Sequence, residues 1–274
     1  MRQFFRTIGT GFVLAWKKET NWTGAWVYLP FLLLRPLAGA MLIYVMVRAA
    51  SAPPAYFAPA YIGNAFFQLV PAVLGGLSWA VLEDRERYQM FKYVYLAPGH
   101  VAPYLLGHGL SRAVQSLLGV AVLMLAGIAF LHIRVPSFHP ALFAAALALG
   151  IASFLFLGLA LAGCSLLLAR HGHFMTESIG GVFFLFSGAV FPLEILPLWL
   201  RPFAWASPAT WWLEALRRSL GLSFGSSLAG FSDAAILAIL AGFTIACAAL
   251  GFAGYAAGER RARWKGLLDA TTAM

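Results

Sequence analysis

The sequence predicts an all-α integral membrane protein with six transmembrane helices. Three observations predict it: an excess of apolar residues, long uninterrupted apolar runs, and positive charge that sorts to one side of those runs. Hydrophobic residues make up 61% of the 274 positions and charged residues 11%, against about 45–50% and about 25% in soluble domains. That balance excludes an ordinary soluble domain. Six spans of about 22 residues, each rising 1.5 Å per residue across roughly 30 Å of hydrocarbon, use about 130 residues and leave about 140 for ends and loops. No separate soluble domain of normal size fits, so residues 1–274 read as a single transmembrane domain.

The first element, within residues 1–26, is a cytoplasmic amphipathic helix. Met1 to Trp16 starts basic and turns apolar, as a signal peptide does, but it lacks the small-residue cleavage site. At helical spacing Phe5, Ile8, Phe12 and Trp16 share one face while Arg2, Arg6, Thr10 and Lys17 take another. This is the pattern of a helix lying in the membrane interface, either as an anchor or as a docking surface.

Apolar runs then place the spans near Leu29 to Val47, Tyr61 to Leu82, Tyr104 to Leu131, Leu142 to Leu168, Ile179 to Leu200 and Ala234 to Ala257. An even number puts both termini on one side. That side carries twelve basic residues: Arg2, Arg6, Lys17, Lys18, Arg85, Arg87, Lys92, Arg170, Arg260, Arg261, Arg263 and Lys265. The other carries five, Arg48, Arg134, Arg201, Arg217 and Arg218, with Arg35 and Arg112 near span ends and uncounted. Lys and Arg near span ends are retained in the cytoplasm, so both termini are predicted cytoplasmic. The net charge of +9 fits attraction to anionic lipid better than nucleic-acid binding. Loops are marked by Pro53 and Pro54, by Pro136 and Pro140, and by Pro192, Pro197, Pro202 and Pro208.

Catalytic chemistry leaves little trace. Intramembrane charges are the default place to look, and each has a structural explanation. Arg35, before Pro36, reads as an arginine that snorkels to the headgroups rather than one that binds substrate. Glu177 after Thr176 and Asp233 after Ser232 match helix N-terminal caps. Glu214 stands three and four residues before Arg217 and Arg218, the spacing of an exposed intrahelical ion pair. His171 and His173 are the only close histidine pair, without a Cys or carboxylate at ligand spacing, so no metal site is predicted. Cys164 and Cys247 lie in apolar runs and read as small core residues. Neither a G-x-S-x-G nor a G-x-x-x-x-G-K-[ST] loop occurs, so the chain lacks the usual P-loop for ATP. Gly254 and Gly258 form a G-x-x-x-G that permits close helix contact, within the chain or between chains.

The most informative segment follows the second span. Glu83-Asp84-Arg85-Glu86-Arg87-Tyr88-Gln89-Met90-Phe91-Lys92-Tyr93-Val94-Tyr95-Leu96-Ala97-Pro98 alternates dense charge with aromatics before the chain re-enters the membrane. It reads as a short cytoplasmic helix ending in a turn. The segment resembles the loop that ABC-2 type transporter permeases carry after their second span, E-R-E-x-G-T-L-x-x-x-L-x-x-P. The matching residues are Glu86-Arg87, Lys92-Tyr93 and Leu96-Ala97-Pro98, followed by Tyr104-Leu105-Leu106-Gly107. Gln89-Met90 stands where the family usually has Gly-Thr. A second block, Phe186-Ser187-Gly188-Ala189-Val190-Phe191-Pro192, Leu196-Pro197-Leu198-Trp199-Leu200, Ser207-Pro208-Ala209-Thr210 and Glu214-Ala215-Leu216-Arg217, resembles the family's region at the end of the fifth span.

The resemblance covers essentially the whole chain and implies the membrane-spanning subunit of an ATP-driven ABC exporter. It implies a coupling helix at 83–98 and an external re-entrant region at 192–232. A second permease chain, as homo- or heterodimer, would complete the pathway, and a separate nucleotide-binding subunit would hold the ATP and magnesium, with no cofactor in this chain. The candidate ATPase-coupling residues are Glu83, Glu86, Arg87, Phe91 and Tyr95; Asn64, Gln68 and Ser187 are candidates for the substrate pathway. The implied location is a bacterial inner membrane, and the implied cargo a hydrophobic drug, a lipid or a glycoconjugate. Trp199, Trp205, Trp211 and Trp212 read as an interfacial belt rather than a sugar-stacking surface. A membrane-embedded lipid-modifying enzyme would require convergent His, Asp or Glu at one depth, which the sequence does not offer. A non-transporting scaffold would use the 83–98 segment only for docking.

Overall fold

The computed structural model describes residues 2–21, 25–49, 53, 56–97, 100–168, 172–222, 224 and 228–267. Pro98, Gly99, Arg170 and His171 lie outside the described residues, as do the side chains of Arg35 and His173. Among the described residues there is no strand. Eleven α-helices follow in order: α1 Arg2–Asn21, α2 Ala25–Ala49, α3 Phe57–Phe67, α4 Leu69–Leu82, α5 Phe91–Leu96, α6 Val101–Leu131, α7 Pro140–Leu167, α8 Gly172–Phe186, α9 Arg201–Trp205, α10 Pro208–Ser219 and α11 Asp233–Trp264. An all-helical chain is what a bilayer demands, because a helix satisfies its own backbone groups where no water can.

Among the described residues, four helical stretches are long and apolar enough to cross a membrane: Phe57–Arg87, Val101–Leu131, Pro140–Leu167 and Asp233–Trp264. Two shorter apolar stretches, Leu37–Met46 and Glu177–Phe186, lie within α2 and α8. The stretch built from α3 and α4 is the hub. It is 78% buried across its apolar window, against 22–33% for the other three, so its neighbours surround it and present their own apolar faces outward. Tyr61 anchors it to α6 by donating its hydroxyl to the Leu123 carbonyl at 2.8 Å.

Helices α7 and α11 meet along small residues. A Cβ on Gly258 would run into the backbone of Gly163, and one on Gly163 would lie 2.7 Å from the Tyr255 Cα. The Gly254/Gly258 pair is therefore used within the chain, where two backbones approach without side chains between them. Ser153 and Thr244 add a hydrogen bond of 2.9 Å across the same interface.

The region after α8 departs from the sequence reading in several ways. A fifth span continuous from Ile179 to Leu200 does not form. Helix α8 ends at Phe186, and the chain reverses at Gly188, whose φ of 64° suits glycine. It continues through a 3₁₀ turn at Leu193–Ile195 into α9 and α10; Pro192 and Pro197 prevent helix from carrying on. Since α8 begins at Gly172, Glu177 is not at its N-terminus and does not cap it. Ser232, rather than Asp233, caps α11, its hydroxyl accepting from the Ala235 amide at 3.2 Å. Cys164 faces outward on α7, while Cys247 is buried.

Helix α10 is buried over almost its whole length despite its polar sequence. Glu214 is not on an exposed face: it is buried, with its carboxylate 3.0 Å from Arg218 Nε. Arg218 also reaches Asp233 at 3.2 Å and the carbonyls of Phe231 and Leu228 at 2.6 Å each. Arg217 is buried too, and takes no part in a surface pair. Its guanidinium donates to the carbonyls of Pro59 at 3.1 Å, Gly188 at 2.7 Å and Ala189 at 2.8 Å, and lies 4.5 Å over the Phe224 ring. Of the four tryptophans read as a belt, Trp199 and Trp205 are exposed, but Trp211 and Trp212 are core residues. Trp212 meets Phe154 edge-on at 5.1 Å, and Trp211 donates its indole N–H to the Trp205 carbonyl at 2.8 Å.

Candidate functional site

The segment after the second span is two helical pieces with a break between them. Glu83–Arg87 continues α4 as a π-helical turn, Gln89 adopts a left-handed φ of 50°, and α5 follows from Phe91. The single short helix expected over 83–98 is thus interrupted at Gln89. A wider turn of five residues rotates the side chains away from the α-helical phase. It sends neighbouring charges in opposite directions.

Asp84 and Arg85 point into the protein and are buried. The Asp84 carboxylate is paired with the Lys18 ammonium of α1 and accepts the Tyr104 hydroxyl of α6 at 2.8 Å. Arg85 lies against the end of α7, with its guanidinium 3.4 Å from the Leu166 carbonyl and 3.6 Å from Glu86. Glu86, Arg87 and Tyr88 project outward, and Glu83 is half-buried between the two sets.

Beyond the break, Phe91 is inserted in the core and meets Tyr95 edge-on at 5.1 Å. Its role is to root α5, and its ring is not available to a partner. Tyr95 is half-buried against the end of α11, where the Arg263 guanidinium lies 5.2 Å from its ring. Burial pushes the Tyr95 hydroxyl up to about 12, so it stays neutral at physiological pH. Lys92, Tyr93 and Leu96 form the outer face of α5.

Helix α1 completes the site from the other side. It lies along α6, where a Cβ on Gly11 would run into the Tyr104 backbone and one on Gly107 would sit 2.8 Å from the Phe12 amide nitrogen. Two glycines at one crossing let the backbones touch. A second ion pair, Glu19 with Arg112, fixes the far end of α1. Phe5 and Val13 remain exposed on its outer side, so the helix both docks on the bundle and presents an apolar ridge. Lys18, Glu19 and Arg112 are not singled out from sequence as part of this site, and Asp84, Arg85 and Tyr104 are quoted there only within matching segments, without a role. A signal did exist: five consecutive charges at about 100° per residue cover every face of a helix, so some of them must point at the bundle.

The three candidate pathway residues are more scattered. Asn64 is half-buried on α3, and Gln68 sits one turn further on, at the joint with α4. Ser187 is buried just past α8 and donates to the Phe184 carbonyl at 3.1 Å. The Phe67 and Phe184 rings meet at 5.0 Å, which brings α3 and α8 together near these positions. Among the described residues, no group of three His, Cys, Asp or Glu is placed to hold a metal ion.

Compared with known proteins, the chain matches the family described as ABC-2 type transporter over residues 12–221. No curated protein matches it.

Proposed function

Because the chain belongs to the ABC-2 type transporter family, a family of transmembrane permeases, we propose that it is the membrane-spanning subunit of an ATP-driven exporter. In this reading α2 and α8 join the four long apolar stretches to make six spans, with both termini cytoplasmic in a bacterial inner membrane. Two permease chains line the route, and a separate ATPase subunit binds ATP and magnesium. The cargo is a hydrophobic drug, a lipid or a glycoconjugate, and the chain itself does no chemistry on it.

The observation that supports this reading is the construction of residues 83–97. Its outer residues, Glu86, Arg87 and Tyr88, are free to meet a partner, while Asp84, Arg85 and Phe91 root it in the bundle. A push on the outer residues therefore reaches three elements at once: α1 through Lys18, α6 through Tyr104, and the end of α7 through Leu166. Movement is transmitted because packed elements shift as units rather than deforming continuously. Glu83 and Tyr95 flank the contact, and Phe91 acts as its internal anchor. Asn64, Gln68 and Ser187 are the polar groups assigned to the pathway.

Co-purification of the full chain in detergent with candidate ATPase subunits tests the proposal. Stable association, with ATP hydrolysis that depends on this chain, is the expected result. Absence of any associating ATPase removes the source of energy and overturns the reading.

A further inference from the structure

A cavity of about 1120 Å³ opens between the polar face of α1 and the side of α5 that carries Tyr93, Val94 and Ala97. Its walls include Arg2, Arg6 and Thr10 from α1, Met90 and Tyr93 around α5, and His100 ahead of α6. No acidic residue lines it. The buried Asp84 carboxylate, partner of the lining residue Tyr104, is already engaged by Lys18. Arg2 and Arg6 make no ion pair among the described residues, so the cleft carries two positive charges that no described carboxylate balances.

The position of the cleft identifies what balances them. Phe5, on the neighbouring side of the helix, is 67% exposed, and Val13, two turns on from Arg6 along the same stripe, is 48% exposed. A ridge of that kind is covered when an amphipathic helix sinks its apolar side to the boundary between headgroups and acyl chains. The mouth of the cleft then lies at the level of the lipid phosphates. Cations at that level attract anionic lipid, and guanidinium groups match phosphate oxygens in geometry as well as charge.

We propose that this cleft is a binding site for the phosphate headgroup of an anionic phospholipid, held by Arg2 and Arg6 between α1 and α5. A lipid seated there touches both the docked N-terminal helix and the segment that carries Glu86 and Arg87. Its presence would stiffen the joint between them. The proposal rests on the cleft and its charge, not on the transport reading, and its test uses no ATPase.

The test is native mass spectrometry of the full chain in detergent with added phosphatidylglycerol or phosphatidylcholine. The chains compared are the unaltered protein, the Arg2→Gln/Arg6→Gln double variant, and an Arg134→Gln control in the loop before α7. The expected result is retention of phosphatidylglycerol over phosphatidylcholine in the unaltered chain and the control, with retention falling about tenfold in the double variant. Thermal melting of the double variant should match that of the parent, since both side chains are exposed. Equal retention of the two lipids, or equal retention by parent and double variant, overturns the proposal. Displacement of the lipid by millimolar inorganic phosphate also overturns it, because it marks a free-anion site instead of a lipid site.

Discussion

Asp84, buried, and Lys18, partly exposed and 66 residues away in sequence, form an ion pair that fastens the N-terminal helix to the turn carrying Glu86 and Arg87. The Asp84 side chain has no solvent exposure, and its second oxygen accepts the Tyr104 hydroxyl at 2.8 Å. Three elements thus converge on one carboxylate. Truncating one partner of a buried pair strands the other, and the loss is about 3–5 kcal/mol. Lys18→Met alone should lower thermal stability in detergent sharply, and Lys18→Met combined with Asp84→Asn should recover much of the loss. Scanning fluorimetry on the four chains of the cycle measures this; additive losses would show that the two side chains are not coupled.

Gly9 and Gly11 provide an internal comparison on one helix. A Cβ on Gly9 meets nothing within 4 Å, whereas one on Gly11 runs into the Tyr104 backbone. Gly9→Ala should stabilise by about 0.5–1 kcal/mol, because alanine has the higher helix propensity. Gly11→Ala should instead lift α1 away from α6 and expose the Lys18 end to protease. Limited proteolysis of both variants distinguishes them, and equal behaviour would mean that α1 is not docked.

Gln89 holds a φ of 50°, a conformation that costs a non-glycine residue roughly 1–2 kcal/mol. Gln89→Gly should therefore raise the melting temperature, and Gln89→Val should lower it.

Much of the architecture was legible in the sequence because apolar runs and proline positions report directly on span lengths and breaks. The second, third and sixth expected spans fall inside long apolar helical stretches, and the fourth does so in all but its last residue, Leu168. Where the reading failed, the missing information was tertiary. Glu214, Arg217, Trp211 and Trp212 look like surface residues on a polar helix, but α10 is folded back into the bundle, and only three-dimensional packing puts carbonyls from Pro59, Gly188 and Ala189 around Arg217. Within the candidate site, charge density singled out the segment. It did not tell which charges face in, because the π-helical turn at Glu83–Arg87 shifts the phase of every side chain after Leu82.

Arg217 yields a further prediction. Its guanidinium serves three backbone carbonyls in fixed directions, and leaving buried acceptors unpaired costs about 1–3 kcal/mol each. Arg217→Ala should abolish a monodisperse peak in size-exclusion chromatography. Arg217→Lys should restore it only partly, since an ammonium cannot reproduce the planar fork. Full recovery with lysine would show that charge alone is needed there.

The most direct test of the proposed coupling is ATP hydrolysis by the assembled transporter in lipid nanodiscs, with Glu86→Lys and Arg87→Glu introduced together. Both side chains are exposed, but Glu86 also faces the buried Arg85 at 3.6 Å, so the comparison is made on variant protein that melts as the parent does. The account predicts that reversal lowers permease-dependent hydrolysis at least about tenfold, which corresponds to about 1.4 kcal/mol of lost coupling. Unchanged hydrolysis by a folded, fully assembled variant would contradict it.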